Sequence, residues 1–293
     1  MRLLLRGTGL EVRPGEPLLM GIVNAGPDSF SDPGSRSVRQ LLGLAREKAA
    51  AGAALIDLGG ESGRTDRGAV SEDEEAGRVV PVIRALAAEG FLVSVDTWRA
   101  PVARAALDAG AVMVNDVSAL SDPSVADACA EAGAALVVTH TRLPPKRKGF
   151  PKYADPVEEV RELLSQRTAE AVRRGVGEES LLLDPGLDLA KTPAQSLELL
   201  RRLRELHSLG HPLLVAASRK DFIGALTGRL PAERGAGTLA ALGAAADGGA
   251  AVLRVHDVEA AADYLRVRAA IRDGEAEDLR LVEHLRREKD HAA

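Results

Sequence analysis

Sulfur, aromatic rings and surplus positive charge are all scarce in this chain. Cys129 is the only cysteine in 293 residues, which rules out an intramolecular disulfide framework and a cysteine-based metal cluster and makes a reducing cytoplasm the expected setting. Aromatic residues make up 2%, so Phe30, alone in a polar loop, stands out. Lys and Arg number 38 against 43 Asp and Glu, a net charge of −5, whereas a nucleic-acid surface calls for a basic face. No run approaches the roughly 18 apolar residues of a membrane span, and the apolar stretch of residues 3–5 is too short for a signal peptide. The expected partners are small molecules or a second copy of the chain.

What is present is 45% hydrophobic content arranged in short apolar runs, each followed by a helical pattern. The runs fall at residues 18–23, 54–60, 91–95, 111–114, 134–138, 180–183, 213–217 and 250–253. Continuous apolar runs of this length suit strands buried on both faces of a parallel sheet. Helical spacing follows in residues 37–51, 71–88, 99–109, 122–132, 157–174, 192–208, 221–226 with 233–246, and 258–271. Ser71 with Glu74 reads as a capping box, and Thr192-Pro193 as a helix start. Cys129, among alanines in a helix, reads as core filler. Eight strand and helix units close most economically into a (β/α)8 TIM barrel, which at about 250 residues fits the chain as one domain. The Gly-x-Gly-x-x-Gly fingerprint usual in an open doubly wound sheet is absent after the first strand. Residues 1–17 are expected to form a hairpin around Pro14-Gly15 that plugs one barrel end, and residues 274–293 a charged surface helix with a loose end. The long break at 141–156 is either a lid or a solvated loop.

Barrel strands converge at their carboxyl ends, where active sites are built. The runs end there in Asn24, Asp96, Asn115, His140, Asp184, Lys220, Arg254 and His256. Asp96, Asn115 and Asp184 offer the acceptors and amide that a flat nitrogen heterocycle needs, and Lys220 adds a donor. Asn24, Arg254 and His256 lie on the first and last strands, neighbours once the barrel closes, and together suit a phosphate or pyrophosphate. A metal there would be held through oxygen, as Mg²⁺ prefers.

Over about residues 18–272 the chain resembles the dihydropteroate synthase family. The resemblance is carried by Asn24 with Pro27-Asp28-Ser29-Phe30-Ser31-Asp32, Asp57-Leu58-Gly59-Gly60-Glu61-Ser62, Ser94-Val95-Asp96-Thr97, Asn115-Asp116, Asp184-Pro185-Gly186, Ser218-Arg219-Lys220 and Arg254-Val255-His256-Asp257. It implies condensation of 6-hydroxymethyl-7,8-dihydropterin pyrophosphate with p-aminobenzoate, with Mg²⁺, by a homodimer. It assigns the pterin to Asp96, Asn115, Asp184 and Lys220, and the pyrophosphate to Asn24, Arg254 and His256, with Asn24 also on the metal. Catalysis falls to Asp32, Asp96 and Lys220, and the p-aminobenzoate side to Phe30, Gly63, Arg64 and Asp221. The chain departs from the family pattern at Gly26, at Gly63 with Thr65-Asp66, and at Asp221, where the family has a serine; all three fall on the p-aminobenzoate side. Asp221 is expected to cap its helix or to repel the substrate's carboxylate. The alternatives are a pterin-binding paralogue without synthase activity and a pterin-dependent methyltransferase.

Overall fold

The computed structural model describes residues 2–13, 15–26, 37–61 and 68–274. A hairpin of β1 (Arg2–Leu5) and β2 (Thr8–Glu11) comes first. Its turn is at Arg6-Gly7, both at positive φ (47° and 85°), the conformation a two-residue hairpin turn requires, and not at Pro14-Gly15 as expected. There, an isolated antiparallel bridge between Arg13 and Glu16 brackets Gly15 instead.

The barrel strands are β3 (Leu18–Asn24), β4 (Ala53–Gly59), β5 (Val93–Asp96), β6 (Met113–Asp116), β7 (Ala135–Thr139), β8 (Leu181–Asp184), β9 (Leu214–Val215) and β10 (Val252–Val255). They run parallel in the order β8-β7-β6-β5-β4-β3-β10-β9. A parallel bridge between Leu183 and Leu213, beside β9, joins the two ends and closes the barrel. Around it stand α1 (Val38–Ala50), α2 (Glu72–Ala88), α3 (Ala100–Asp108), α4 (Ser124–Ala132), α5 (Pro156–Arg173), α6 (Pro193–Arg201), α7 (Asp221–Thr227), α8 (Gly235–Asp247) and α9 (Val258–Asp273). The segment expected as one helix over 192–208 is α6 followed by a 3₁₀ turn, Leu203–Leu209. At α2, Ser71 Oγ accepts from the Glu74 N–H at 3.2 Å, but the Glu74 carboxylate takes Arg78 at 2.6 Å instead of returning to the cap, so the capping box is half formed.

Alternation along the strands sorts the core into two compartments, because successive side chains face opposite sides of the sheet. Ile56, Leu58, Val93, Val95, Val114, Leu136, Val138 and Leu183 face the helices, where Cys129 is also buried. Met20, Leu55, Met113, Val137, Leu182, Leu214 and Val252 face inward and cluster with Leu3, Leu5 and Val12, so the hairpin fills the lower barrel end. It is tied to α9 as well: the Gly15 carbonyl accepts from Arg268 at 3.1 Å and Arg272 at 2.9 Å. An interior packed solid below leaves the upper layers for polar chemistry.

Candidate active site

Strand register places the upper polar residues side by side. Asn24 is opposite Gly59, Gly59 opposite Asp96, and Asp96 opposite Asn115; across the barrel Thr139 is opposite Asp184. One inward step below the Gly59 row lie Asp57 and Ser94, themselves paired. Asp57, Ser94 and Thr139 belong to the site although the reading of strand ends passes over them. Their signal is parity: each is a polar residue two positions from another inward-facing one.

Arg254 reaches across this layer from β10. Its Nε donates to Asp57 Oδ2 and its Nη2 to Asp96 Oδ2, both at 2.6 Å, and Asn115 Nδ2 donates to the same Asp57 oxygen at 3.1 Å. Burial alone lowers an arginine's pKa, but the two carboxylates outweigh it and Arg254 is held above its ordinary range. Two of the N–H groups expected to serve an anion are therefore spent on Asp57 and Asp96, leaving Nη1. Asp96 is pushed up to about 7, first by burial and then by Asp57, with Arg254 opposing. The folded form thus keeps a proton that the unfolded chain has already released, and stability is lost as pH rises from about 4 through 7. The stability of Asp96→Asn, neutral throughout, relative to the parent should rise by on the order of 4 kcal/mol between pH 4 and pH 8. Denaturant titrations at both pH values check this; a pH-independent difference would contradict it.

Four buried polar atoms on the inner face have no partner among the described residues: Asp57 Oδ1, Ser94 Oγ, Asn115 Oδ1 and Thr139 Oγ1. Each such atom costs about 1–3 kcal/mol when left unpaired. Adjacent strands β4 to β7 each contribute one, so the wall presents acceptors and hydroxyls to whatever enters. Asp116, next in the chain, serves structure instead: it accepts from the Ser118 and Leu120 N–H groups at 2.6 and 2.8 Å.

On the opposite wall, Asp184 is buried and its carboxyl raised, chiefly by burial. Its Oδ1 accepts from the Gly186 N–H at 2.7 Å, which leaves Oδ2 for a ligand. His140, expected at the mouth, is fully buried and turned to Lys191, its Nδ1 2.8 Å from Nζ. Lys220 sits at the N-cap of α7, and Arg234 holds the turn before it, donating to the Arg219 and Lys220 carbonyls at 2.8 and 3.1 Å. Asp221 neither caps nor faces inward: it is the first helical residue, and its carboxylate, 69% exposed, pairs with Arg234 at 3.1 Å. The cap comes from Asp188, whose Oδ2 accepts from the Asp221 and Phe222 N–H groups.

Beside β3, His256 is lowered to about 3, first by burial and then by Arg254, Arg219, Lys48 and Lys220. It is therefore neutral, not the cation an anion site suggests, and Ser218 Oγ lies 3.0 Å from its Nδ1. The Ser218 hydroxyl accepts from the His256 N–H at 3.2 Å; giving its own proton to Nδ1 leaves Nε2 as a neutral donor. Lys48 secures the strand end from outside by donating to the His256 carbonyl at 2.5 Å.

Phe30, Asp32, Gly63 and Arg64, like residues 275–293, lie outside the described residues. At the root of the second loop, Glu61 and the buried Glu75 share Arg99 Nη1. Lys146, from the loop after β7, reaches Glu61 at 3.3 Å. The 141–156 segment therefore spans from β7 to the β4 side of the mouth.

Residues 20–256 match the model of the family described as pterin binding enzyme. The chain is similar to the dihydropteroate synthase of Escherichia coli (strain K12), with 40% identity over 270 residues, 91% of this chain and 95% of that one. It is also similar to the Xanthomonas albilineans dihydropteroate synthase solved with 4-aminobenzoic acid, at a TM-score of 0.85 and 43% identity, covering 92% of this chain and 98% of that one. The same enzyme solved with 7,8-dihydropteroate gives a TM-score of 0.83 and 42% identity, covering 93% and 99%.

Proposed function

Because the chain belongs to the pterin binding enzymes, and among them to the dihydropteroate synthase family, we propose that the barrel mouth is where its substrates meet. It joins 6-hydroxymethyl-7,8-dihydropterin pyrophosphate to p-aminobenzoate, giving 7,8-dihydropteroate and pyrophosphate. The observation that carries the assignment of the mouth is the set of unpartnered inner-wall atoms, Asp57 Oδ1, Ser94 Oγ, Asn115 Oδ1 and Thr139 Oγ1, facing Asp184 across the barrel. A pterin edge, with its amino and ring N–H donors, is complementary to that wall. Incubating the protein with both substrates and Mg²⁺ and finding dihydropteroate and pyrophosphate in equal amounts tests the whole reading; no product overturns it.

In this reading Asn115, Asp184 and Asp96 hold the pterin, Asp96 through the ion pair that Arg254 fixes, and Lys220 lies at the mouth above Asp184. Arg254 Nη1 and the neutral His256 Nε2–H face the departing pyrophosphate. The bond between the pterin methylene carbon and the pyrophosphate oxygen breaks, the carbon takes on positive charge, and the aniline nitrogen attacks it and then gives up a proton. Asp96, deprotonated as the pH rises through about 7, stabilises that charge; the family resemblance gives Asp32 a parallel role and assigns Phe30, Gly63 and Arg64 to the amine.

Mg²⁺ fits the donors present. The amide oxygen of Asn24, at the end of β3, is the hard donor expected of an ion carried mainly by phosphate oxygens. When bound, the ion neutralises charge on the leaving group. Asn24→Ala should raise the Mg²⁺ concentration for half-maximal rate several-fold and leave bare pterin affinity unchanged, as magnesium titrations and calorimetry will show.

Asp221 calls for a smaller effect than two facing carboxylates imply. Arg234 already neutralises it, and exposed pairs of this kind are worth about 0–1 kcal/mol. Asp221→Ser should lower the KM for p-aminobenzoate by less than about tenfold, at unchanged KM for the pterin substrate. A thousandfold change would mean that Asp221 turns inward. Homodimer formation accords with apolar side chains left exposed at Leu226, Leu230, Val267 and Ile271, and sedimentation velocity tests it. The expected cytoplasmic setting accords with a single buried, reduced Cys129.

A further inference from the structure

Lys191 is the largest fully buried side chain among the described residues, with 1% of its surface exposed. A buried ammonium is costly unless its protons are taken up. Nζ lies 2.8 Å from His140 Nδ1 and donates to the carbonyls of Gly186 at 2.9 Å, Leu189 at 3.0 Å and His140 at 3.3 Å. Two of these acceptors belong to residues that Asp184 also holds through their N–H groups. The Gly186 N–H donates to Asp184 Oδ1 at 2.7 Å, and the His140 N–H donates to the Asp184 carbonyl at 2.9 Å. The contacts form a closed circuit, from the Asp184 carboxylate through residue 186 to the ammonium and back through residue 140 to the Asp184 backbone.

We infer that Lys191 is a positioning residue for Asp184, fixing the direction of its free Oδ2 by clamping the two backbone segments, residues 140 and 186, that hold the aspartate. The ammonium reaches the ligand only through this circuit. Its cost in burial is repaid by the precision of one acceptor in the pocket and not by contact with substrate. The inference rests on the reading that Asp184 holds the pterin.

The test is a double-mutant cycle on affinity for 6-hydroxymethyl-7,8-dihydropterin pyrophosphate, measured by calorimetry on folded protein. Lys191→Met should weaken binding about tenfold or more in the parent background and by less than about twofold in Asp184→Asn, since coupled residues are non-additive. The same variant should raise KM for the pterin substrate with little change in kcat, a split that a loss of folded protein does not produce. If Asp184→Asn alone leaves affinity intact, the pocket reading fails. If it weakens binding while Lys191→Met does not, or if the two losses add, the inference about Lys191 fails. Should Lys191→Met not fold, the parent labelled with ¹⁵N-lysine serves: the Lys191 Nζ resonance should shift on addition of the pterin pyrophosphate, and an unmoved resonance overturns the proposal.

Discussion

Arg254→Met should abolish affinity for a bare pterin as fully as for the pterin pyrophosphate, and should destabilise the protein by about 3–5 kcal/mol. The guanidinium is the shared counter-ion of Asp57, which has no exposed surface, and Asp96. Without it, two carboxylates face each other in a pocket shielded from water. Asp96, raised to about 7 even with the cation in place, then keeps its proton to still higher pH, and a protonated carboxyl presents a donor where the ligand needs an acceptor. The loss therefore arises on the heterocycle side. That differs from the expectation drawn from sequence, in which Arg254 serves only the leaving group. Calorimetry with both ligands decides the matter: bare pterin binding within threefold of the parent would show that the carboxylates manage without their cation.

Gly186→Ala should be nearly as severe. Gly186 has a φ of +66°, a region that costs a side-chain-bearing residue roughly 1–2 kcal/mol. An added Cβ would also lie 2.0 Å from the His140 carbonyl oxygen. That oxygen cannot yield freely, because residue 140 is held at its N–H by Asp184 and at its carbonyl by Lys191. The backbone must move, and Asp184 Oδ1 loses its donor in the process. We expect a stability loss of about 3 kcal/mol or more and pterin affinity reduced at least tenfold, read from denaturant midpoints and calorimetry on the same preparation. A variant within about 1 kcal/mol of the parent, with affinity intact, would contradict the rigidity ascribed to this turn.

Strands and helices were legible because each apolar run ends in a polar residue and most helices end at glycine; Gly52, Gly90, Gly110 and Gly210 all adopt positive φ. The barrel followed from counting. The turn of the hairpin was not legible, because Arg6-Gly7 carries a weaker turn signal than Pro-Gly. The break after α6 was missed because no glycine or proline marks it. At the site, the residues that end strands were found and those one step deeper were not. Asp57 lies within an apolar run and reads as part of a strand; only its inward parity and the reach of Arg254 reveal its part. Asp188 and Lys191 act on partners 33 and 51 residues away, a distance over which local pattern carries no signal. Asp188 also adopts a φ of +64°, which residue type alone suggests only weakly.

The hairpin that seals the lower barrel end bears on how the chain comes to be folded. Leu3 and Leu5 are made before any barrel strand, yet their seat is completed by Leu214 and Val252, and the Gly15 carbonyl waits for Arg268 and Arg272. Contacts of such sequence separation are slow to form. The apolar hairpin must therefore stay unseated until β10 and α9 have been made, so the lower barrel end is the last to be sealed although its plug is made before the barrel.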